Sequence, residues 1–253
     1  MFFSKDLGSI LYVVGNAMLT EVWRYDLRRG VSTEVETGAK STMWAGTLPD
    51  GRIAYSTLDL AAEGPAMKSY LLPATGRGEP EPWLEGGVMG VTESHALVSV
   101  LSGDSTDLFV DDLTSLERRD FRVGDKDFGL SGSVSPDGEW ALIRSGGKIL
   151  LSRFPSGEGE WQVSPDGGSN AAFSADGSEI HFVSDRELYR VSLQTEPEVI
   201  LGTPELIGRA EEGTTLHGAS EKGSSRFLAT QTAGSIDGDL VVVLGWAAEL
   251  AGR

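Results

Sequence analysis

The groups in this chain that could do chemistry are three histidines and 38 carboxylates; there is no cysteine. A zinc centre needs three or four imidazole, thiolate or carboxylate donors brought to one point. His95, His181 and His217 lie 86 and 36 residues apart, with no short ligand spacing among them. His181 falls in a predicted strand and reads as packing, and His95 lies beside a predicted turn and is expected to be exposed. His217 lies on a predicted innermost strand and is kept as a binding candidate. The pairs Asp104/Asp107, Asp111/Asp112 and Asp237/Asp239 supply too few oxygens for a calcium loop and read as polar turns. A nucleophile elbow needs G-x-S-x-G, and the nearest string, Gly129-Leu130-Ser131-Gly132, fails at its last position. No catalytic residue, metal ligand or cofactor is therefore expected.

Charge narrows the partners. With 21 Lys and Arg against 38 Asp and Glu, the net charge is −17, and such a field repels phosphate backbones. A nucleic-acid partner is not expected. No run reaches 18 consecutive apolar residues, and the first residues, MFFSKDLGS, lack the basic-then-apolar order of a signal peptide.

The elements that would hold any site are legible from turns. In 133–167, Ser135-Pro136-Asp137-Gly138 reads as a tight turn: Pro136 presets φ, Asp137 bonds its own backbone, and Gly138 takes a positive φ. Short apolar runs flank it, a Gly146-Gly147 turn follows, and the whole stretch reads as four antiparallel strands. Related turns centre on Asp6, Asp50, Glu93, Asp176 and Lys222. With Asp137 these stand at intervals of 44, 43, 44, 39 and 46 residues. A period near 43 with alternating strands predicts an all-β, six-bladed β-propeller of four-stranded blades. The blades are drawn at about 1–38, 39–86, 87–125, 126–167, 168–208 and 209–253, as one domain. Short outer strands are expected at 32–36, 81–84, 118–123, 161–164 and 198–201. The first innermost strand is nearly missing, and the last blade shows three strands, its third at 239–245. Closure is expected to be incomplete, or the chain is the C-terminal piece of a longer protein.

The run 149–191, ILLSRFPSGEGEWQVSPDGGSNAAFSADGSEIHFVSDRELYRV, and the segment 241–250, VVVLGWAAEL, resemble the TolB-type (WD-like) bacterial propeller repeats. More specifically they resemble the C-terminal propellers of bacterial serine/threonine protein kinases. Ala171, Phe173 and Gly245 depart from the family's usual Pro, Trp and Asn. The resemblance implies a sensing or protein-interaction module without a catalytic group. Neither an HRD-type loop nor a Gly-rich phosphate loop is present in the chain, and Asp127-Phe128-Gly129 stands without them.

A propeller binds at the channel mouth, through loops that lead into its innermost strands. Those loops and strands carry Lys40, Ser41, Trp44, Asp127, Asn170, Thr215 and His217, the candidate binding residues. The expected partner is a protein or peptide, or a small ligand, met by a monomer. The alternative is a hydrolase of the lactonase or glycan-processing type with a metal in the channel. A cytoplasmic location is expected for a complete chain, and an extracytoplasmic one for part of a membrane-anchored kinase.

Overall fold

The computed structural model describes residues 2–3, 8–16, 19–59, 66–122, 128–209, 214–219 and 227–231. Every described element is a strand or a turn, and the chain is an all-β propeller. It falls into two compact units, Met1–Lys126 and Asp127–Arg253.

The first unit holds three four-stranded sheets, each in simple sequential order. The first sheet comprises β1 (Phe2–Phe3), β2 (Ser9–Asn16), β3 (Leu19–Asp26) and β4 (Val31–Val35). The second comprises β5 (Thr42–Thr47), β6 (Ile53–Asp59), β7 (Ala66–Leu72) and β8 (Glu81–Glu85). The third comprises β9 (Gly87–Val91), β10 (His95–Ser102), β11 (Ser105–Asp112) and β12 (Arg118–Arg122). Alternation buries one face of each sheet against the next. Leu11, Val22 and Val35 meet Ala45, Ile53, Tyr55 and Leu72 in one core.

In the second unit the fourth sheet comprises β13 (Phe128–Val134), β14 (Trp140–Ser145), β15 (Lys148–Arg153) and β16 (Trp161–Gln162). The fifth comprises β17 (Ser169–Phe173), β18 (Glu179–Ser184), β19 (Glu187–Gln194), β20 (Ile200–Leu201) and β21 (Glu205–Arg209). Trp140, Leu142, Ile149 and Leu151 interlock with Phe173, Ile180, Phe182, Val191 and Leu193. Gly168 lies where the chain passes between these sheets. A Cβ there would come within 2.7 Å of Ile149 Cδ1 and 3.0 Å of Phe182 Cδ2, so the crossing needs glycine.

One expectation is corrected. Six four-stranded blades were expected, and five sheets of four or more strands are present among the described residues. The sixth position holds a hairpin of β22 (Thr214–Ala219) and β23 (Phe227–Gln231), while the strand expected at 239–245 lies outside the described residues. The outer strand expected at 198–201 is present at its end as β20, and a further strand, β21, follows it. β20 pairs with Leu193 and Gln194, and β21 returns to pair with Glu187–Arg190. The GTP segment 202–204 between them explains the break, because Gly and Pro interrupt a ladder and Pro has no N–H to give it.

The Ser-x-Asp-Gly turns work as their residues predict. Trp140 N donates to Ser135 Oγ, Ser135 Oγ donates to Asp137 Oδ1, and Glu139 N donates to the same carboxylate oxygen. Ser174, Asp176, Ser178 and Glu179 repeat that pattern in the fifth sheet. Gly138 and Gly177 take φ of 75° and 72°.

Candidate functional site

The inner strands β5, β9, β13 and β17 each carry a β-bulge. In β5, Thr42 pairs with Thr57 and Trp44 with Ser56, leaving Met43 as the extra residue. In β9 the extra residue is Met89. In β17, Ser169 pairs with Val183 and Ala172 with His181, so Asn170 and Ala171 together face Phe182. In β13 the excess is larger. Phe128 pairs with Ser145 and Gly132 with Ile143, so residues 129–131 face Arg144 alone. A bulge frees backbone groups from the ladder and re-aims neighbouring side chains, which is why bulges collect at functional sites.

Between the bulges of β13 and β17 lies a shallow open recess of about 10 Å³, room for about one water. Its wall is Gly132, Arg144, Ser169, Asn170 and Ala171, over Leu142, Ile143 and Ile149. Asn170 holds a φ of 53°, a conformation that asparagine tolerates better than most side chains. Arg144 Nε donates to Gly168 O at 3.3 Å, which fixes the guanidinium at the rim.

The other candidate residues are placed differently. Lys40 is exposed, and its carbonyl accepts from Thr20 N at 2.9 Å. Ser41 is buried, and its carbonyl accepts from Leu58 N at 3.1 Å. Together these bonds pin the segment leading into β5 to two neighbouring strands. The Trp44 ring lies over Gly46, where a Cβ would stand 2.8 Å from it, and packs with Trp83 and Val91 on Leu48, Ala54 and Leu71. That indole is engaged in packing. Thr215 and His217 lie on β22, which runs beside β17 and β18. Asp127 lies outside the described residues. The structure thus brings one candidate, Asn170, to a recess, and adds Arg144, which the sequence reading did not single out. The signal available in advance was a charged residue directly after the apolar run 140–143.

Two polar clusters also went unread. On the fifth sheet His181 is 3% exposed, with Nε2 3.8 Å from Glu179 Oε2. Arg190 reaches Glu179 Oε1 at 4.0 Å and Glu205 Oε2 at 2.7 Å. Burial pushes the imidazole down to about 4; Glu179 opposes that fall and Arg190 adds to it. Packing was the right expectation for His181. The i, i+2 spacing of Glu179 and His181 on a strand put both on one face, and that was the missed signal.

On the third sheet, Ser94 Oγ lies 2.8 Å from His95 Nδ1, and His95 Nε2 lies 3.8 Å from Asp112 Oδ2. Ordered this way the groups suggest nucleophile, base and acid. Asp112 Oδ1, however, accepts the amides of Thr114 and Ser115, which lower its pKa and make it a turn cap. Ser94 is exposed on the β9–β10 turn, while His95, expected to be exposed, is half-buried. Asp111, beside it, is held by Arg118 through two bonds of 2.6 Å, and Arg118 also donates to Glu85 O. The described residues contain no cluster of three His, Asp or Glu side chains placed to hold a metal ion.

No protein-family model and no curated sequence matches the chain. Solved structures do. TolB of Acinetobacter baumannii superposes with a TM-score of 0.61 at 17% identity, over 88% of this chain. This chain spans 60% of the length of that protein. A TolB-type protein of Agrobacterium tumefaciens gives 0.61 at 20% identity, over 86% of this chain and 83% of the other. XC5397 of Xanthomonas campestris, described as a gluconolactonase, gives 0.58 at 16%, over 76% and 70%. At these identities the likeness concerns fold, and the fold of this chain is that of the TolB-type β-propellers.

Proposed function

We propose that this chain is a non-catalytic binding module, taking a protein or peptide partner at the blade ends where the inner strands begin. The observation that supports this reading most directly is the open recess between the bulges of β13 and β17, with Asn170 and Arg144 on its wall. A bulged ladder exposes backbone donors and acceptors that an extended peptide can meet. On this reading residues 1–253 form one six-bladed domain, as the 43-residue spacing suggests. The resemblance to kinase-attached propellers makes signalling its setting. A photo-crosslinking amino acid at position 170 should capture a partner in cells, while the same group at exposed Leu116 should not. Equal capture at both positions would count against a blade-end site.

One observation favours a second reading, the likeness to the Xanthomonas gluconolactonase. A lactonase would need carboxylates converging on a metal. Metal analysis of the purified chain, together with a lactone-hydrolysis assay, separates the two readings.

A further inference from the structure

We infer that Asp166-Gly167 is a site of covalent self-modification, where the aspartate isomerises to isoaspartate through a cyclic imide. The chain holds five Asp-Gly pairs, with the aspartate at 50, 137, 166, 176 and 237, and the last lies outside the described residues. Such pairs are open to this reaction because glycine has no side chain to shield its amide nitrogen or to restrict its backbone. The four described aspartates are all exposed, so exposure does not tell them apart. Hydrogen bonding does.

Two copies of one tetrapeptide show the difference. Ser135-Pro136-Asp137-Gly138 and Ser164-Pro165-Asp166-Gly167 are identical in sequence. In the first, Gly138 N donates to Ser135 O at 2.9 Å. Asp137 Oδ1 accepts Glu139 N at 3.0 Å and also the Ser135 hydroxyl. The pairs at 50 and 176 are held alike. Gly51 N donates to Leu48 O and Gly177 N to Ser174 O, each at 2.9 Å, while the carboxylates accept Arg52 N at 3.0 Å and Ser178 N at 3.1 Å. The glycine nitrogen and the aspartate carboxyl are the two reacting groups, and in these three pairs the turn engages both. The copy at 164–167 uses its atoms otherwise. Ser164 O, which would close the turn, accepts Gln162 Nε2 at 2.8 Å, and Pro165 O accepts the same group at 3.1 Å. Ser164 Oγ accepts Ile149 N at 2.8 Å, across the sheet. Gly167 opens to a φ of 106°, against 75° at Gly138. Among the described residues, the turn bonds that engage the other three pairs are not formed here. The physical reason is position. The first copy folds β13 back onto β14 within one sheet, while the second carries the chain from β16 to β17 in the next sheet, and its polar atoms anchor that crossing.

The reaction balances with water alone. The Gly167 nitrogen bonds to the Asp166 side-chain carboxyl carbon, and the amide proton leaves with the carboxyl hydroxyl as water. A water then opens the imide at either carbonyl. Opening at the main-chain carbonyl gives isoaspartate, and opening at the other restores aspartate. Mass is unchanged, and the main chain gains one methylene just ahead of Gly168, whose N donates to Gly147 O at 2.9 Å. The inference is independent of the binding-module reading.

The test is prolonged incubation of the whole chain near neutral pH, with isoaspartate located by proteolysis and electron-transfer fragmentation. It should accumulate at 166 at least about tenfold faster than at 50, 137 or 176, because each of those pairs must first break two hydrogen bonds. In guanidinium chloride, where the turns are lost, positions 137 and 166 should react at similar rates. Asp166→Glu, whose longer side chain cannot close the five-membered ring, should abolish the signal at 166 and leave the other three unchanged, with the thermal midpoint showing that the variant is folded. The inference is overturned if 137 keeps pace with 166 in the folded chain, or if 166 reacts only in denaturant. It is also overturned if the difference persists in denaturant, which would assign it to the following residue, Gly168 or Glu139, and not to the fold.

Discussion

The fourth and fifth sheets share one apolar core and the same turn, yet the turn delivers a different side chain in each. In both, a Ser hydroxyl accepts the amide five residues on, and an Asp carboxylate accepts that Ser hydroxyl. The residue delivered by that amide is Trp140 in one sheet and Glu179 in the other. Trp140 is 2% exposed, with the Arg153 guanidinium 4.7 Å above its ring and Trp161 edge-on at 5.7 Å. Glu179 is also buried, but beside His181 and Arg190. The turn therefore templates the backbone and leaves the face it presents free to vary. One sheet uses that freedom for aromatic packing, the other for buried ionisable groups.

The sharpest way to break the comparison is to empty the aromatic side. Trp140→Ala should cost about 3–5 kcal/mol of unfolding free energy, read by urea denaturation, because the cavity opens in the shared core of both sheets. A loss below about 1 kcal/mol would show that the core collapses around the missing ring.

The polar side should respond to pH. The folded-state pKa of His181 is depressed from 6.5 to about 4. Between those values the unfolded chain binds the proton and the folded chain does not. The contribution is therefore complete above pH 6.5 and is lost as pH falls toward 4, amounting to about 3 kcal/mol. His181→Phe should remove that slope while keeping an aromatic of similar size. An unchanged slope in the variant would move the pH response to other groups.

A smaller effect tests the shared turn. Ser135→Ala removes a buried acceptor for Trp140 N and should cost about 1–2 kcal/mol, and Ser174→Ala should cost the same. The second sheet offers the natural control. There Leu48 stands at the Ser position and Asp50 still accepts Arg52 N, so Asp50→Ala should lose only about 1 kcal/mol or less. Unequal costs for the two Ser variants would show that the neighbouring side chain, Trp or Glu, sets the strength of the turn.

The smallest effect belongs to Arg144. It is exposed and makes one bond to a carbonyl, so Arg144→Gln should shift stability by less than about 0.5 kcal/mol. A larger loss in a melting curve would make Arg144 a structural strut between the fourth and fifth sheets.

Much of the fold was legible because turn chemistry is local. Pro-Asp-Gly and Gly-Gly strings fix positive-φ positions within four residues, and their spacing marks out the blades without any long-range information. The outer strands at 81–84 and 118–123 were placed nearly where β8 and β12 run. The split outer edge of the fifth sheet was not foreseen, because whether β21 pairs with β19 depends on where the chain returns after Pro204. The site was less legible still. Asn170 was named from its place before an inner strand, but Trp44 was named by the same logic and its ring packs on Gly46.

The sequence by itself determined the all-β architecture, the blade period, the turn positions and the acidic field. Each depends on residue type at short spacing. Only the tertiary structure decided which inner strand carries the larger bulge, that Arg144 lies opposite that bulge with its Nε on Gly168 O, and that Glu179 and His181 share a buried face with Arg190. Strand register and the approach of neighbouring sheets set those relations. They depend on how whole faces pack, which no single window of residues specifies.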